Sequence, residues 1–396
     1  MDKQKKVIIA LVAVVIVVGG YFIFKSKSSV VNKQINLNAG QDQGPANQGN
    51  VSPISGVACD AWNRRPVAVM QPADPTARPA AGFSDADMVF EMPVFTNSNN
   101  RLMGVYLCNV PKEMGSIRSA RHDYLPLASS LDAIFVHWGY SKFAEELLKG
   151  KIVDNIDGMV YGCSGAGCTG KYINRWQKTG LMSLEDTGYI TNTQVDQAMK
   201  DFNFHTDNKF SGYPHQAEVV VDQRSNGGNL RLAYPGKYDV EYDYDKVSNS
   251  YLRTWDGSPD TDKNNGKRVA PKNIVVMTAE DAQITLASEQ SFKDKGLMDP
   301  WSLVPADDQA GLDYGGVGRY NNLQIGDPWF DAIDSGDAYF YFNGQQMHGK
   351  WKKDKSKLNS KLTFYNDDGS EVKFVPGQIW VDVMEPGQGM KWTPAS

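Results

Sequence analysis

Residues 118–149 read RSARHDYLPLASSLDAIFVHWGYSKFAEELLK, and this stretch decides the fold class of the chain. Its centre, residues 133–138, is a short apolar run of the kind that forms a buried strand. A helix is predicted on each side of this strand, over residues 118–130, where Pro126 bends or interrupts it, and over residues 141–149, where a serine provides the N-cap. A strand between two helices indicates a sheet with helices packed on it.

Three more strands are predicted ahead of this stretch, over residues 66–70, 88–94 and 102–109. Each run is rich in Val, Met, Phe or Leu and is bounded by Gly, Pro or Asn. Together with residues 118–149 they predict a mixed-sheet α/β domain that spans residues 59–215.

The sequence changes character from about Gln216 onward, where short strand-like runs alternate with turn clusters. The predicted strands are residues 217–221, 274–277, 338–342, 362–365 and 379–384. Residues 366–369, Asn-Asp-Asp-Gly, predict a tight hairpin turn. We therefore expect a β-rich domain over residues 216–396 and an α+β class for the whole protein.

The amino terminus predicts a membrane anchor. Residues 7–24 carry no charge, and at 1.5 Å per residue they just cross a hydrocarbon core of about 30 Å. Lysines in residues 1–6 favour a cytoplasmic amino end. The apolar run does not end in small residues as a cleaved signal peptide would, so we expect a single-pass anchor in the cell membrane, a flexible linker over residues 25–58, and an extracytoplasmic body.

Composition and charge argue against a disordered chain and against a nucleic-acid-binding protein. Apolar residues make up 41% of the chain, which is the mix of a globular protein with a core. Lys and Arg number 41 against 46 Asp and Glu, and five of the lysines fall in the amino-terminal segment, so the body is acidic. An acidic body repels phosphate backbones, and we expect no nucleic-acid partner.

The four cysteines are Cys59, Cys108, Cys163 and Cys168, which allow three pairings. An extracytoplasmic body favours disulfides, and the preferred pairs are Cys59 with Cys108 and Cys163 with Cys168. Four free thiols in a cytoplasmic body are the alternative.

Several segments match known cofactor-binding or metal-binding motifs only in part. Residues 165–170 fit G-x-G-x-x-G, but no strong strand precedes them and Tyr172 replaces the Ser or Thr of a phosphate loop. Residues 260–264 alternate like a calcium loop, yet a Gly and a bidentate Glu are missing from it. The histidines show no zinc-binding spacing. We therefore expect neither a cofactor nor a metal.

A pair of arginines gives a more informative signal. Arg118 and Arg121 lie one turn apart at the start of the predicted helix, beside Ser119. Cations are unfavourable at the positive end of a helix unless an anion lies among them. The anion is either a ligand or an internal carboxylate, such as Glu91, Asp85 or Asp87.

His137 ends the apolar strand, at the edge where open sheets place their ligands. As a general base it would need an acidic partner, for which Asp87 and Glu91 are the candidates. The alternative is a hydrogen-bonded structural histidine.

Motifs along most of the chain after Cys59 resemble the YerB-like family, in order and in spacing. They are residues 65–70, 77–91, 118–121 and 136–141 in the first half, and residues 251–253, 273–276, 349–353 and 376–381 in the second.

The resemblance implies a bacterial, surface-anchored protein of two adjoining domains, described in the family as a lipoprotein and without an established activity. The chain retains the family's positions at Arg78, Asp87, Glu91, Arg101, Arg118, Arg121 and His137. It departs from the family at Gln71-Pro72, at residues 96–100, and at residues 184–186, where a Pro-His-Asn segment has lost its His.

The favoured hypothesis is a binding or scaffolding module that holds an anionic cell-wall or peptide ligand. The predicted ligand-binding residues are Arg118, Arg121, Ser119, Arg78 and Arg101. The alternatives are an envelope hydrolase that uses His137 with Asp87 or Glu91, and a surface for a protein partner.

Overall fold

The computed structural model describes residues 50–94, 99–178, 183–284, 320–323, 325, 335–354 and 356–395. The predicted cytoplasmic end, membrane helix and linker up to residue 49 lie outside the described residues. Within the described ranges, no helix is both long and apolar enough to cross a bilayer.

The last residues of the predicted linker belong to the folded body. Ile54 is fully buried. The hydroxyls of Ser52 and Ser55 donate to one carboxylate oxygen of Asp87 at 2.8 and 2.6 Å. The folded part therefore begins ahead of the predicted boundary at residue 59.

The strands, in chain order, are β1 (Val67–Pro72), β2 (Met88–Pro93), β3 (Asn100–Tyr106), β4 (Glu113–Gly115), β5 (Ile134–His137), β6 (Asn155–Asp157), β7 (Asn174–Arg175), β8 (Gly188–Thr191), β9 (Gly228–Ala233), β10 (Val240–Asp245), β11 (Ser250–Trp255), β12 (Ser258–Pro259), β13 (Asn273–Thr278), β14 (Asp281–Ile284), β15 (Tyr320–Leu323), β16 (Ser335–Phe342), β17 (Gln345–Lys352), β18 (Thr363–Asn366), β19 (Ile379–Met384) and β20 (Gly389–Pro394).

The helices are short. The α-helices are α1 (Tyr124–Ser130), α2 (Lys142–Lys149), α3 (Gly158–Tyr161) and α4 (Asn192–Asp201), and single 3₁₀ turns cover Pro75–Ala77, Phe83–Asp85, Leu184–Thr187 and Val221–Gln223. Helix α4 begins with a full capping box between Thr191 and Gln194.

A ten-stranded mixed sheet forms the centre of the described chain, in the order β18-β17-β16-β13-β19-β2-β3-β1-β5-β6. Strands β1, β5 and β6 run parallel, as do β13, β19 and β2. A second sheet has the order β12-β11-β10-β9-β20, and smaller sheets are β4-β8-β7 and β14-β15.

The central strands are buried on both faces. On β1, Ala68 and Met70 point into a core that includes α1, whereas Val67 and Val69 point into a core shared with the second sheet and α4. Strands covered on both sides read as continuous apolar runs, which is why these strands were detectable from the sequence.

Most predicted elements are confirmed. The strands predicted at residues 66–70, 88–94, 102–109, 133–138, 274–277, 338–342, 362–365 and 379–384 and the helix predicted at 141–149 each coincide with an observed element, within a few residues at the ends. The turn at residues 366–369 is also present, with Gly369 at a φ of 86°.

The helix predicted over residues 118–130 is wrong in its first half, because it begins only at Tyr124. The carbonyl oxygens of Arg118 and Ala120 accept from the backbone N–H groups of Trp138 and Ser141 at 2.9 and 3.1 Å. These carbonyls are therefore not available for helical bonds. Proline at the third helical residue needs no N–H partner there, so it stands in the first turn instead of interrupting the helix.

The strand predicted at residues 217–221 is also wrong. This segment pairs with no strand in the described chain, and the 3₁₀ turn Val221–Gln223 ends it. Val220 is 61% exposed, so the apolar run that suggested a strand packs against no sheet.

Both preferred disulfides are confirmed. Cys59 is bonded to Cys108 and Cys163 to Cys168. The second bond closes the exposed glycine-rich loop that had suggested a phosphate-binding motif, where Gly165 and Gly167 have positive φ.

The two halves of the sequence share the central sheet. Strand β2 pairs in parallel with β19, so that Glu91 lies opposite Asp382. Arg253 on β11 donates to Glu91 Oε2 at 2.5 Å and also to Asp260, and all these side chains are buried. The separate domains predicted at 59–215 and 216–396 thus meet through strand pairing and a buried ion cluster within the unit Gly49–Ser396.

The Asp382 carboxyl group gives the first testable prediction. Burial and the nearby Glu91 carboxylate raise the pKa of Asp382 well above its usual range. The folded state therefore holds a proton that the unfolded chain releases above its pKa of about 4, and stability falls as the pH rises from there toward the folded pKa. Asp382→Asn mimics the protonated form, so its stability relative to wild type should increase between pH 5 and pH 8.

Thermal unfolding across this pH range measures the effect. Asp222→Asn, at an exposed position, is the control and should follow the wild-type pH dependence. Parallel curves for Asp382→Asn and wild type would contradict a protonated Asp382.

Candidate functional site

The candidate site lies at the carboxyl ends of the parallel strands β1, β5 and β6, the edge where open sheets commonly bind ligands. Residues 117–121 cross this edge as extended chain. Ile117, Arg118 and Ala120 donate their backbone N–H groups to the carbonyls of Gly188, Met70 and Gly139 at 2.8 to 2.9 Å. This segment is thus fixed by three separate parts of the fold.

A cleft of about 400 Å³ opens beside this segment. Its polar wall, which we call the arginine cleft, is formed by Arg101, Arg118, Arg121, Arg175 and Ser119. Four of the five predicted ligand-binding residues, Arg101, Arg118, Arg121 and Ser119, are therefore brought together.

Arg101 is the most unusual member of the arginine cleft. Its side chain comes from β3 and the residue is only 7% exposed. Its guanidinium donates to Ser119, at 2.6 Å to the carbonyl and 2.8 Å to the hydroxyl, and its Nε has no partner among the described residues. Burial, together with Arg121 and Arg118, lowers the pKa of Arg101 well below its usual range. No carboxylate of the described residues forms an ion pair with this buried cation.

Ser119 joins two of the arginines. Its hydroxyl oxygen accepts from Arg101 and from Arg121, each at 2.8 Å. A hydroxyl that accepts two bonds still has one proton to donate. Ser119 can therefore offer this proton to an acceptor in the cleft.

Arg118 carries the internal counter-ions. It pairs with Glu185 and Asp186 at 2.6 Å each and lies 3.6 Å from Asp74. The partners considered from the sequence, Glu91, Asp85 and Asp87, are not the ones that bind it. Asp186 is buried, whereas the Glu185 side chain is 78% exposed, so Glu185 is the counter-ion that a ligand can displace.

Arg175 was missed in the sequence. It lies on β7, which pairs with β8 so that Arg175 stands opposite Gly188. Its guanidinium carbon lies 3.7 Å from the ring centre of Trp138, a cation–π contact. No local motif marks Arg175, because only this strand pairing carries it to the cleft.

Arg78 does not belong to the cleft, which corrects the prediction. It is buried, lies 3.3 Å from Asp260 and stacks 4.9 Å from the ring centre of Trp255. The second sheet supplies both partners, and the sequence could not indicate that this sheet covers Arg78.

His137 and its proposed partners do not form a catalytic group. His137 is fully buried, with Nδ1 2.8 Å from the carbonyl of Gly139 and Nε2 3.2 Å from the amide oxygen of Asn155. Glu91 binds the ion cluster of Arg253. The Asp87 carboxylate accepts hydrogen bonds from the backbone N–H groups of residues 107 and 108 and from the hydroxyls of two serines. His137 Nδ1 also lies 3.7 Å from Asp157 Oδ1. The buried ring holds the turn at Gly139, and the predicted partners Asp87 and Glu91 bind other groups.

Comparison with known proteins agrees with this fold. The family model "Protein of unknown function (DUF3048) N-terminal domain" matches residues 54–205, and the corresponding C-terminal domain matches residues 230–297 and 318–381. "Putative lipoprotein YerB" of Bacillus subtilis (strain 168) is 24% identical over 346 residues, which cover 84% of this chain and 86% of that protein. The crystal structure of the YerB protein from Bacillus subtilis matches with a TM-score of 0.66 and 23% identity, over 86% of this chain and 99% of that chain. The resemblance found in the sequence is confirmed.

The structural role of His137 is testable. His137→Ala leaves a cavity and removes one of the two partners of the Gly139 carbonyl, so we expect a loss of about 2–4 kcal/mol in the free energy of unfolding. Urea unfolding measures this loss. His348→Ala, whose side chain is 39% exposed, is the control and should lower stability much less than His137→Ala. An unchanged midpoint for His137→Ala would contradict the structural role.

Proposed function

This chain belongs to the DUF3048 family, and from that premise we propose that it is a membrane-anchored protein of the bacterial cell envelope whose arginine cleft holds an anionic ligand. The proposal has two parts, the location of the protein and the chemistry of the cleft.

Three observations support the location. The matching Bacillus subtilis protein bears the name of a lipoprotein. Residues 7–24 have the length and polarity of a membrane anchor. Two disulfides in the folded body agree with an oxidising compartment outside the cytoplasm.

The uncompensated Arg101 carries the proposal for the cleft. Moving an ion into a protein interior costs several kcal/mol unless an opposite charge offsets it. Asp74, Glu185 and Asp186 pair with Arg118, and no carboxylate of the described chain lies within ion-pair distance of Arg101. An anion in the cleft would supply the negative charge that pairs with Arg101. Anionic cell-wall fragments and acidic peptides both carry such a charge.

Converging donors favour an anion with several oxygen atoms. Guanidinium groups bind carboxylates and phosphates through paired, charge-assisted hydrogen bonds. Here Arg101, Arg118 and Arg175 reach one cleft from β3, residues 117–121 and β7. Ser119 adds a hydroxyl donor.

Replacing Arg101 tests the proposal. In the full-length protein, Arg101→Met should abolish binding of phosphate, acetate and anionic wall fragments. The ligand-free variant should unfold at the wild-type temperature or above it, because an uncompensated buried charge has been removed. In wild type, a ligand at a hundredfold excess over its Kd should stabilise the fold by about 2.7 kcal/mol. Thermal unfolding measures both effects.

Arg231→Met is the matched control, since Arg231 is exposed and pairs with Asp239 far along the chain from the cleft residues. It should keep the wild-type response to each anion. A wild type that no anion stabilises, together with a markedly destabilised Arg101→Met, would make the arginine cleft a structural feature and refute the proposal.

Glu185 provides a second prediction. Its exposed carboxylate holds Arg118, so an incoming anion must compete with it. Glu185→Gln keeps the side-chain size and removes the competing charge. We expect a three- to tenfold lower Kd for phosphate, measured by isothermal titration calorimetry, and an almost unchanged unfolding temperature because the pair is exposed. Glu241→Gln, at an intermediate-exposure site on β10, should leave the Kd unchanged. A weaker affinity in Glu185→Gln would show that Glu185 helps to bind the ligand.

A further inference from the structure

We propose that the ligand of the arginine cleft is a phosphate monoester that carries an apolar group, such as an alkyl phosphate or a lipid phosphate. This inference rests on the proposed function and deepens it by naming the ligand class. It is drawn from the side chains that surround the cations.

An exposed apolar side chain, that of Met159, lines the arginine cleft, and other exposed apolar residues lie in the neighbouring segments. In the described part of the chain, eight large apolar residues are exposed, and four of them, Tyr140, Met159, Val160 and Leu184, belong to the segments that border the cleft. Met159 lines the cleft itself and is 68% exposed, and Val160 beside it is 67% exposed. An exposed apolar side chain in the wall of a cleft is available to contact the apolar part of a ligand.

The exposed turn is held in place by close packing. Met159 and Val160 lie on α3, between Gly158 and Gly162. A Cβ atom built on Gly158 would lie 2.4 Å from the Trp138 ring, and one on Gly162 would lie 2.6 Å from it. Only glycine therefore allows this turn to pack against the Trp138 ring, which also makes the cation–π contact with Arg175. The ring thus connects the apolar side of the cleft to its cationic side.

The pattern of charge favours a phosphate over a carboxylate. One planar arginine already satisfies a carboxylate through two parallel hydrogen bonds. The cleft is instead lined by three guanidiniums from three segments and by the Ser119 hydroxyl, a set of donors that fits a phosphate group with three terminal oxygens. The cleft volume of about 400 Å³ has room for the phosphate and the first carbons of a chain.

Butyl phosphate, inorganic phosphate and pentanoate distinguish the possibilities. The full-length protein, held in phosphatidylcholine nanodiscs, is titrated with each by calorimetry. Since each fully buried methylene strengthens binding by about fourfold, we expect butyl phosphate to bind at least about tenfold more tightly than inorganic phosphate. We expect pentanoate to bind more weakly than butyl phosphate.

Variants at the apolar side separate this inference from the proposed function. The double variant Met159→Ser/Val160→Ser alters only exposed side chains. It should reduce the affinity for butyl phosphate to that for inorganic phosphate and leave inorganic phosphate binding unchanged. Val247→Ser, at a position 79% exposed and away from the cleft segments, is the control and should bind like wild type. Arg101→Met should lose both phosphate ligands.

Three results would overturn the inference. Equal affinities for butyl phosphate and inorganic phosphate would leave an anion site without an apolar subsite. Tighter binding of pentanoate than of butyl phosphate would point to a carboxylate ligand, such as a peptide end. Binding of no anion at all would refute the proposed function as well.

The lipid composition of the nanodisc then identifies the source of the phosphate. If the ligand is a lipid headgroup, phosphatidic acid in the disc should compete with butyl phosphate and weaken its binding, compared with discs that hold the same fraction of phosphatidylglycerol, a phosphodiester. An equal affinity for butyl phosphate in both discs would assign the cleft to a soluble alkyl phosphate.

Discussion

The packing of the two sheets against each other depends on the buried ion pairs of Arg253. Its guanidinium is fully buried and pairs with Glu91 on the central sheet and with Asp260 beyond β12. Removing one partner of a buried ion pair costs about 3–5 kcal/mol, because the remaining charge loses its counter-ion in a medium of low polarity. The second sheet must therefore dock with its residues in one register. That docking also covers Arg78, whose buried guanidinium is directed to Asp260 and not to the arginine cleft.

The arginine cleft depends on a different constraint, which is the extended path of residues 117–121. Their backbone groups bond to β1, to the turn at Gly139 and to the start of β8, so the segment cannot fold into a helix. Arg118, Ser119 and Arg121 of this segment all line the arginine cleft, so these long-range bonds, and not a helical repeat, set their positions. The buried His137 supports this path, because its ring holds the carbonyl of Gly139, the same carbonyl that accepts from Ala120. His137 therefore helps to fix the segment that holds Arg118 and Arg121.

The sequence was sufficient for the parts of the molecule that local patterns control. Strands β1, β5 and β19 are continuous apolar runs because they are buried on both faces, and the cysteine spacing and order led to the two observed disulfides. Arg118, Arg121 and Ser119 were predicted from two arginines one turn apart at a predicted helix start, and Arg101 was predicted from the resemblance to the YerB-like family. The pairing of strands that are distant in the sequence could not be predicted from local patterns. No local pattern indicates that β2 lies beside β19, or that the pairing of β7 with β8 brings Arg175 next to Trp138. The false helix start arose for the same reason, since the groups that hold residues 117–121 come from distant segments.

Comparison of the two buried arginines gives the strongest argument for a ligand. Arg253 and Arg101 are both removed from water, at 0% and 7% exposure. The fold supplies Arg253 with two carboxylates and an aromatic face, that of Trp380 at 4.6 Å. Among the described residues, Arg101 donates to the carbonyl and hydroxyl of Ser119, and burial and two further arginines lower its pKa. The same chain therefore can neutralise a buried guanidinium with its own carboxylates. At the arginine cleft no described carboxylate pairs with Arg101, and this difference is the physical argument for the proposed anionic ligand.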